Sequence, residues 1–139
     1  MKLYRAMTPA ADGLPQVGPS ARKLGVRNLG HAPNQDVDAL DPSDIVTPGV
    51  GGMSVAPNDP INLDHRRRPP EIGGGKGKDP VWVIDEADLG TDLRYLQDDG
   101  NENHGVVEPS QPMTLVEFQE SLASTLAKWQ RYTVGGGDA

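Results

Sequence analysis

Short stretches of alternating apolar and polar residues, separated by long polar connections, run along this chain. "KLYRAM", residues 2–7, sends Leu3 and Arg5 to one side and Tyr4 and Ala6 to the other, the period of a half-buried strand that Thr8-Pro9 ends. From Gly13 to Pro33, Gly, Pro and basic residues prevail, and Ser20 is placed to cap a single helical turn. Asp36, Asp38, Asp41 and Asp44 follow as an acidic loop. After the Pro48-Gly49 turn signal, Gly52 to Ala56 reads as a small-residue strand with Ser54 opposite to Met53 and Val55. Residues 57–80 hold too few apolar side chains for a core element, and a loop of that length is usually functional or disordered. "PVWVID", residues 80–85, is the densest β-branched and aromatic run. "LRYLQD" and "HGVVEP" read as two further strands, joined as a hairpin through "DGNEN". Finally, Leu115, Phe118, Leu122, Leu126 and Trp129 fall at helical spacings behind a Thr114–Glu117 capping box, which predicts one amphipathic helix reaching the "GGGDA" end. Strands first and one closing helix imply an α+β fold with a mainly antiparallel sheet. The expected organisation is one domain over residues 1–133 and a flexible tail at 134–139.

Composition shrinks the expected core. Hydrophobic residues are 35% of the chain, while 17 Gly and 13 Pro demand turns and irregular loops. The formal charge of −7 excludes general attraction to nucleic acid or an anionic membrane surface. No cysteine is present, so there is no disulfide partner and no thiolate chemistry. Neither a signal-like apolar run nor a membrane-spanning window is found, which points to a cytoplasmic protein with no membrane partner, or one delivered by a dedicated secretion machine.

The obvious chemical motifs fall away on inspection. "GGGKGK", residues 73–78, has Ile72 and Asp79 where a phosphate-binding Walker loop needs Gly and Ser or Thr, so it reads as a flexible loop suited to acting as a lid. His31, His65 and His104 have no neighbours at metal-ligand spacing, and no metal is expected. Arg66-Arg67-Arg68 reads as a solvated charge cluster, with pyrophosphate binding as the alternative. Three isolated polar residues on strands are left: Arg5, Ser54 and Glu108, the last fixed between Val106-Val107 and Pro109.

In their order along the chain, "LYRA", "GGMSV", "HGVVEPSQPM" and a terminal helix ending near Trp129-Gln130 resemble the ADP-ribosyltransferase-like toxins delivered by bacterial type VI secretion, of the Arg-Ser-Glu class. The resemblance implies an ADP-ribosyltransferase-like split antiparallel sheet with few helices and long loops, and a cleft for NAD as substrate. It implies Glu108 and Ser54 as catalytic residues, with Arg5, Ser54, Tyr4 and His104 binding the cofactor. It further implies a macromolecular acceptor, a cognate immunity protein and action in a target cell's cytoplasm. Met53 stands where the family pattern has threonine, and Val106 where it has a second acid, which disfavours an arginine acceptor. On this reading Glu108→Gln abolishes NAD turnover with little change in thermal midpoint. The alternative is a non-catalytic toxin or interaction module that binds a partner protein through its acidic surface and C-terminal helix.

Overall fold

A computed structural model describes residues 1–27, 36–39 and 41–133, so His31 and the 134–139 tail lie outside the described residues. Its strands are β1 (Lys2–Ala6), β2 (Ile45–Val46), β3 (Met53–Pro57), β4 (Val81–Asp85), β5 (Leu93–Asp98), β6 (Asn101–Pro109), β7 (Met113–Thr114) and β8 (Gln130–Arg131), and its α-helix is α1 (Leu115–Ala123). Six of the strands form one antiparallel sheet in the order β5-β6-β3-β1-β4-β8, while β2 and β7 pair separately.

The sheet is split at its centre. β1 pairs with β4 along its whole length, from Lys2 opposite Asp85 to Ala6 opposite Val81. On its other side it pairs with β3 only at Leu3–Pro57 and Tyr4–Ala56. Beyond Tyr4 the two strands are no longer bridged, and Arg5 stands at the opening. The fold is therefore the mixed α+β, mainly antiparallel arrangement expected, with few helices and long loops.

Side-chain alternation divides the core between two faces. Leu3, Met53, Val55, Trp82, Ile84 and Val107 pack on one face with Phe118 and Leu122 of α1. Burying each of those two helix side chains is worth roughly 1.5–3 kcal/mol. On the other face, Tyr4, Ala56, Val81 and Val83 form a smaller cluster beneath Leu63 and Ile72.

Local chemistry departs from the expected helices in two places. Ser20 caps no helical turn; its Oγ accepts from the Arg22 N–H at 3.1 Å inside a run of tight turns. The capping box of α1 is present, but the helix stops at Ala123. Ser124 Oγ donates to the Ser121 carbonyl at 2.6 Å and Thr125 Oγ1 to that of Leu122 at 2.7 Å. Such local hydroxyl bonds compete with helix continuation. Trp129 then turns into the core, its indole N–H donating to Thr125 Oγ1 at 2.9 Å, and Gln130–Arg131 anneal to the edge of β4 instead of extending the helix.

The long 57–80 connection is tied down by Arg68. Its guanidinium donates to the carbonyls of Ile72 at 2.7 Å and of Ile61 and Leu63 at 3.1 Å. Lys76 N–H bonds to the His65 carbonyl and Gly77 N–H to that of Arg68, both at 2.8 Å, so "GGGKGK" folds back against the arginine run rather than standing away as a lid. Among the described residues, no helix is long and apolar enough to cross a membrane.

Candidate active site

The opening between β1 and β3 leads into a cleft of about 490 Å³, a volume in the range of small-molecule sites. Arg5, Ser54 and His104 line it together with Arg27, Asp36, Asp64, Arg66 and Arg67.

Arg5 shares its strand face with the core, and the missing β1–β3 rungs give its side chain room to turn into the gap. It is 5% exposed, and its donors grip backbone: Nη1 to the Ser54 carbonyl at 2.7 Å, and Nε and Nη2 to the Lys23 carbonyl at 3.2 and 2.9 Å. One guanidinium thus bridges β3 and the 20–25 turns. Gln119 of α1 clamps the end of that segment, donating to the Val26 carbonyl at 2.9 Å. Burial pulls the Arg5 pKa down to about 10, with Asp36 opposing the shift and Arg67 and Arg27 adding to it. It stays a cation at neutral pH, held at the cleft wall.

The remaining charges of the cleft are unequally engaged. Arg27 is neutralised by Asp36, with Nη2 at 2.9 Å from the carboxylate. The Arg66 side chain makes, among the described residues, a loose 3.7 Å contact with the exposed Asp64. Arg67 is half-buried, and its guanidinium makes no hydrogen bond or ion pair among the described residues. The "RRR" run therefore divides: Arg68 is structural, while Arg66 and Arg67 present cations to the cleft in a chain of net charge −7. A ligand with a phosphate or pyrophosphate fits that arrangement.

Ser54, partly exposed on β3, is directly opposite Val106 of β6. His104 lies two residues before Val106 on the same face, and its Nδ1 contacts a carboxylate oxygen of Asp98 on β5. Glu108 lies two residues after Val106, again on that face, yet it does not line the cleft. It is 0% exposed: Gly49 N–H donates to Oε1 at 2.7 Å and Arg94 Nε to Oε2 at 2.6 Å. Gly49 makes that seal from a turn in which it adopts φ +88°. Tyr4 is also away from the cleft, buried in the smaller core with its ring edge-on to Tyr132 at 5.7 Å.

Of the five residues singled out in the sequence, the structure brings three together, Arg5, Ser54 and His104, and places Tyr4 and Glu108 elsewhere. Arg66 and Arg67, for which the sequence left pyrophosphate binding as the alternative, complete the surroundings together with residues the sequence did not single out: Asp98 behind His104, and Gly49 and Arg94 around Glu108. Asp98 and Arg94 were within reach of a hairpin register, since Arg94 pairs directly with Glu108. Gly49 comes from a distant loop, and its turn signal with Pro48 carried no pointer to Glu108.

No curated protein and no solved structure matches the chain. A family model described as Tse2 ADP-ribosyltransferase toxin matches residues 2–134, nearly its whole length, and the chain belongs to that family.

Proposed function

We propose that this toxin transfers ADP-ribose from NAD, and that the substrate lies in the β1–β3 cleft. The observation that carries this reading is the concentration of Arg5, Arg66 and Arg67 around one cleft of an acidic protein. Arg67 and Arg66 supply donors to the pyrophosphate, and the fixed Arg5 cation adds its field without giving up its backbone carbonyls. Ser54 and His104 then face the ribose that carries nicotinamide. Cleavage of the C1′–N bond sends its electrons into nicotinamide, which leaves neutral, and builds positive charge on the ribose ring.

Glu108, on the face and strand that carry His104, stabilises that charge once it leaves its present partners. In this reading the turn bearing Gly49 lifts as substrate enters, and Glu108 exchanges the Gly49 N–H for a ribose hydroxyl. Tyr4 contributes by packing under β1 rather than by touching the cofactor. Action on NAD requires access to a cytoplasm. Delivery into a target cell by type VI secretion, a cognate immunity protein in the producer and a macromolecular acceptor belong to the same proposal.

A second reading, a toxin that acts by binding, is favoured by the sealed state of Glu108. The C-terminal helix is a poor docking element for it, because Leu115, Phe118 and Leu122 are already buried in the core.

Nicotinamide release from NAD by the purified protein, alone and with bacterial lysate, decides between them. We expect turnover by the wild type and none by Glu108→Gln in protein that remains folded. Silence of the wild type under both conditions, with toxicity retained in both proteins, overturns the enzymatic reading in favour of binding.

A further inference from the structure

We propose that His104, oriented by Asp98, is the general base that removes the proton from the acceptor during transfer. This rests on the ADP-ribosyl-transfer reading above.

The inference starts from β6. Positions 104, 106 and 108 share one face of that strand, because side chains alternate. Val106, in the middle, has no proton-transfer chemistry, and Glu108 has both oxygens engaged by Gly49 and Arg94. His104 differs from both: it lines the cleft, it is only partly buried, and one ring nitrogen is already committed. A carboxylate can only accept, so Asp98 selects the tautomer with its proton on Nδ1. That leaves the Nε2 lone pair as the ring's available proton acceptor.

Asp98 reaches His104 from the neighbouring strand β5, across the hairpin irregularity between Gln97 and Asp98. Continuing the register of Gln97 opposite Gly105 puts residue 98 across from residue 104 on the same face, so the two side chains meet even though the shift pairs Asp98 with Asn101 in the ladder. The other charges at the cleft are Asp36 and Asp64 as acids and Arg5, Arg27, Arg66 and Arg67 as cations. Asp36 is paired with Arg27 and Asp64 is loosely tied to Arg66, and His104 is the cleft's one imidazole among the described residues.

The reaction balances without a further reagent. The C1′–N bond of NAD breaks with its electron pair passing to nicotinamide. A lone pair on the acceptor oxygen forms the new C1′–O bond, and the acceptor's O–H proton moves to Nε2. The resulting imidazolium is stabilised by the Asp98 carboxylate and returns its proton to solvent. The acceptor class is thus a neutral hydroxyl, with water giving hydrolysis. Asp98 is a positioning residue, since it acts through His104.

The test uses the full chain, NAD, and water or methanol as the nucleophile. His104→Ala is expected to lose about 100-fold in kcat while the KM for NAD stays within roughly threefold, and added imidazole should restore at least about tenfold of the loss. Asp98→Asn should lower kcat by about tenfold with the same KM. Retained kcat in His104→Ala overturns the proposal. So does a defect confined to KM, which would make His104 a cofactor contact, and so does a loss of kcat that imidazole does not relieve, the mark of a hairpin staple. Should the alanine variant fail to fold, His104→Gln, which keeps a donor toward Asp98, must show the kcat loss in folded protein. A wild type that releases no nicotinamide overturns the transfer reading and the base together, whereas an active wild type with an unaffected variant removes the base alone.

Discussion

Ser54 and Glu108 belong to the same face of two paired strands, one residue pair apart, and meet opposite surroundings. Around Ser54 the sheet is splayed and the cleft is open, with the Arg67 guanidinium making no hydrogen bond or ion pair among the described residues and His104 partly exposed. Around Glu108 the turn bearing Gly49 and the Arg94 side chain close over the carboxylate until nothing of it is exposed. The difference separates two uses of charge. A charge that has been sealed in contributes to the fold and is costly to disturb, because a partner left behind remains desolvated. A charge left open contributes little to the fold and is available for a ligand.

Substitutions should expose this contrast. The largest effect is expected at the closed end, where Glu108→Ala removes a carboxylate with two charge-assisted partners and should cost about 3 kcal/mol, a fall in Tm of roughly 10 °C. Even Glu108→Gln should be thermally visible, at about 1–3 kcal/mol, because an amide offers a donor to either the Gly49 N–H or Arg94 Nε. The sequence-based expectation of a silent Gln substitution is revised on that geometry. A thermal scan that superimposes Glu108→Gln on the wild type would show that the seal is not maintained in solution.

Next comes Arg5, which borders the open cleft but is tied to Ser54 and Lys23. Replacing it with Met should cost about 2–3 kcal/mol, because carbonyls buried against the guanidinium lose their donor. If chemical denaturation finds less than about 0.5 kcal/mol, Arg5 belongs with the open group instead.

At the open end, Arg67→Ala should leave Tm within about 1 °C and raise the KM for NAD about tenfold, equivalent to about 1.4 kcal/mol of lost phosphate contact. An unchanged KM, measured by nicotinamide release, would remove Arg67 from the substrate site.

Asp79 offers the smallest and most graded test, lying between the two extremes. Arg22 forks onto it at 2.7 and 3.0 Å and Thr8 donates at 3.0 Å. The hydrogen bond from Arg22 holds its pKa below the ordinary aspartate value, with burial opposing. Its contribution to stability is therefore complete above the unfolded value, near roughly 4, and is lost as pH falls through the lower folded value. Asp79→Asn should flatten the acid side of a Tm-against-pH curve and leave the neutral plateau lower. An acid limb identical to that of the wild type would show that Asp79 does not govern it.

The elements built from local alternation were legible in the chain. Leu3 and Arg5 opposite Tyr4, Ser54 opposite Met53, and the β5–β6 hairpin all follow from a period of two. The capping box at Thr114 was equally plain. Periodicity failed at Leu126 and Trp129, whose helical spacing continues past the end of the helix, because the Ser124 and Thr125 hydroxyls and an open edge on β4 offered better partners. Arg66-Arg67-Arg68 looked uniform, although one residue holds a loop and two face a cleft. Side-chain identity carries no information about which carbonyls lie within reach.

The sequence by itself determined the strand faces, the start of the helix, the acidic balance and the order of Arg5, Ser54 and Glu108, all properties of neighbours along the chain. Only the tertiary structure decided that β1 and β3 part after Tyr4, that Arg67 faces the cleft, and that Gly49 closes over Glu108. Those outcomes depend on where strand pairing stops and on contacts between segments as far apart as residues 49 and 108, which local spacing cannot encode.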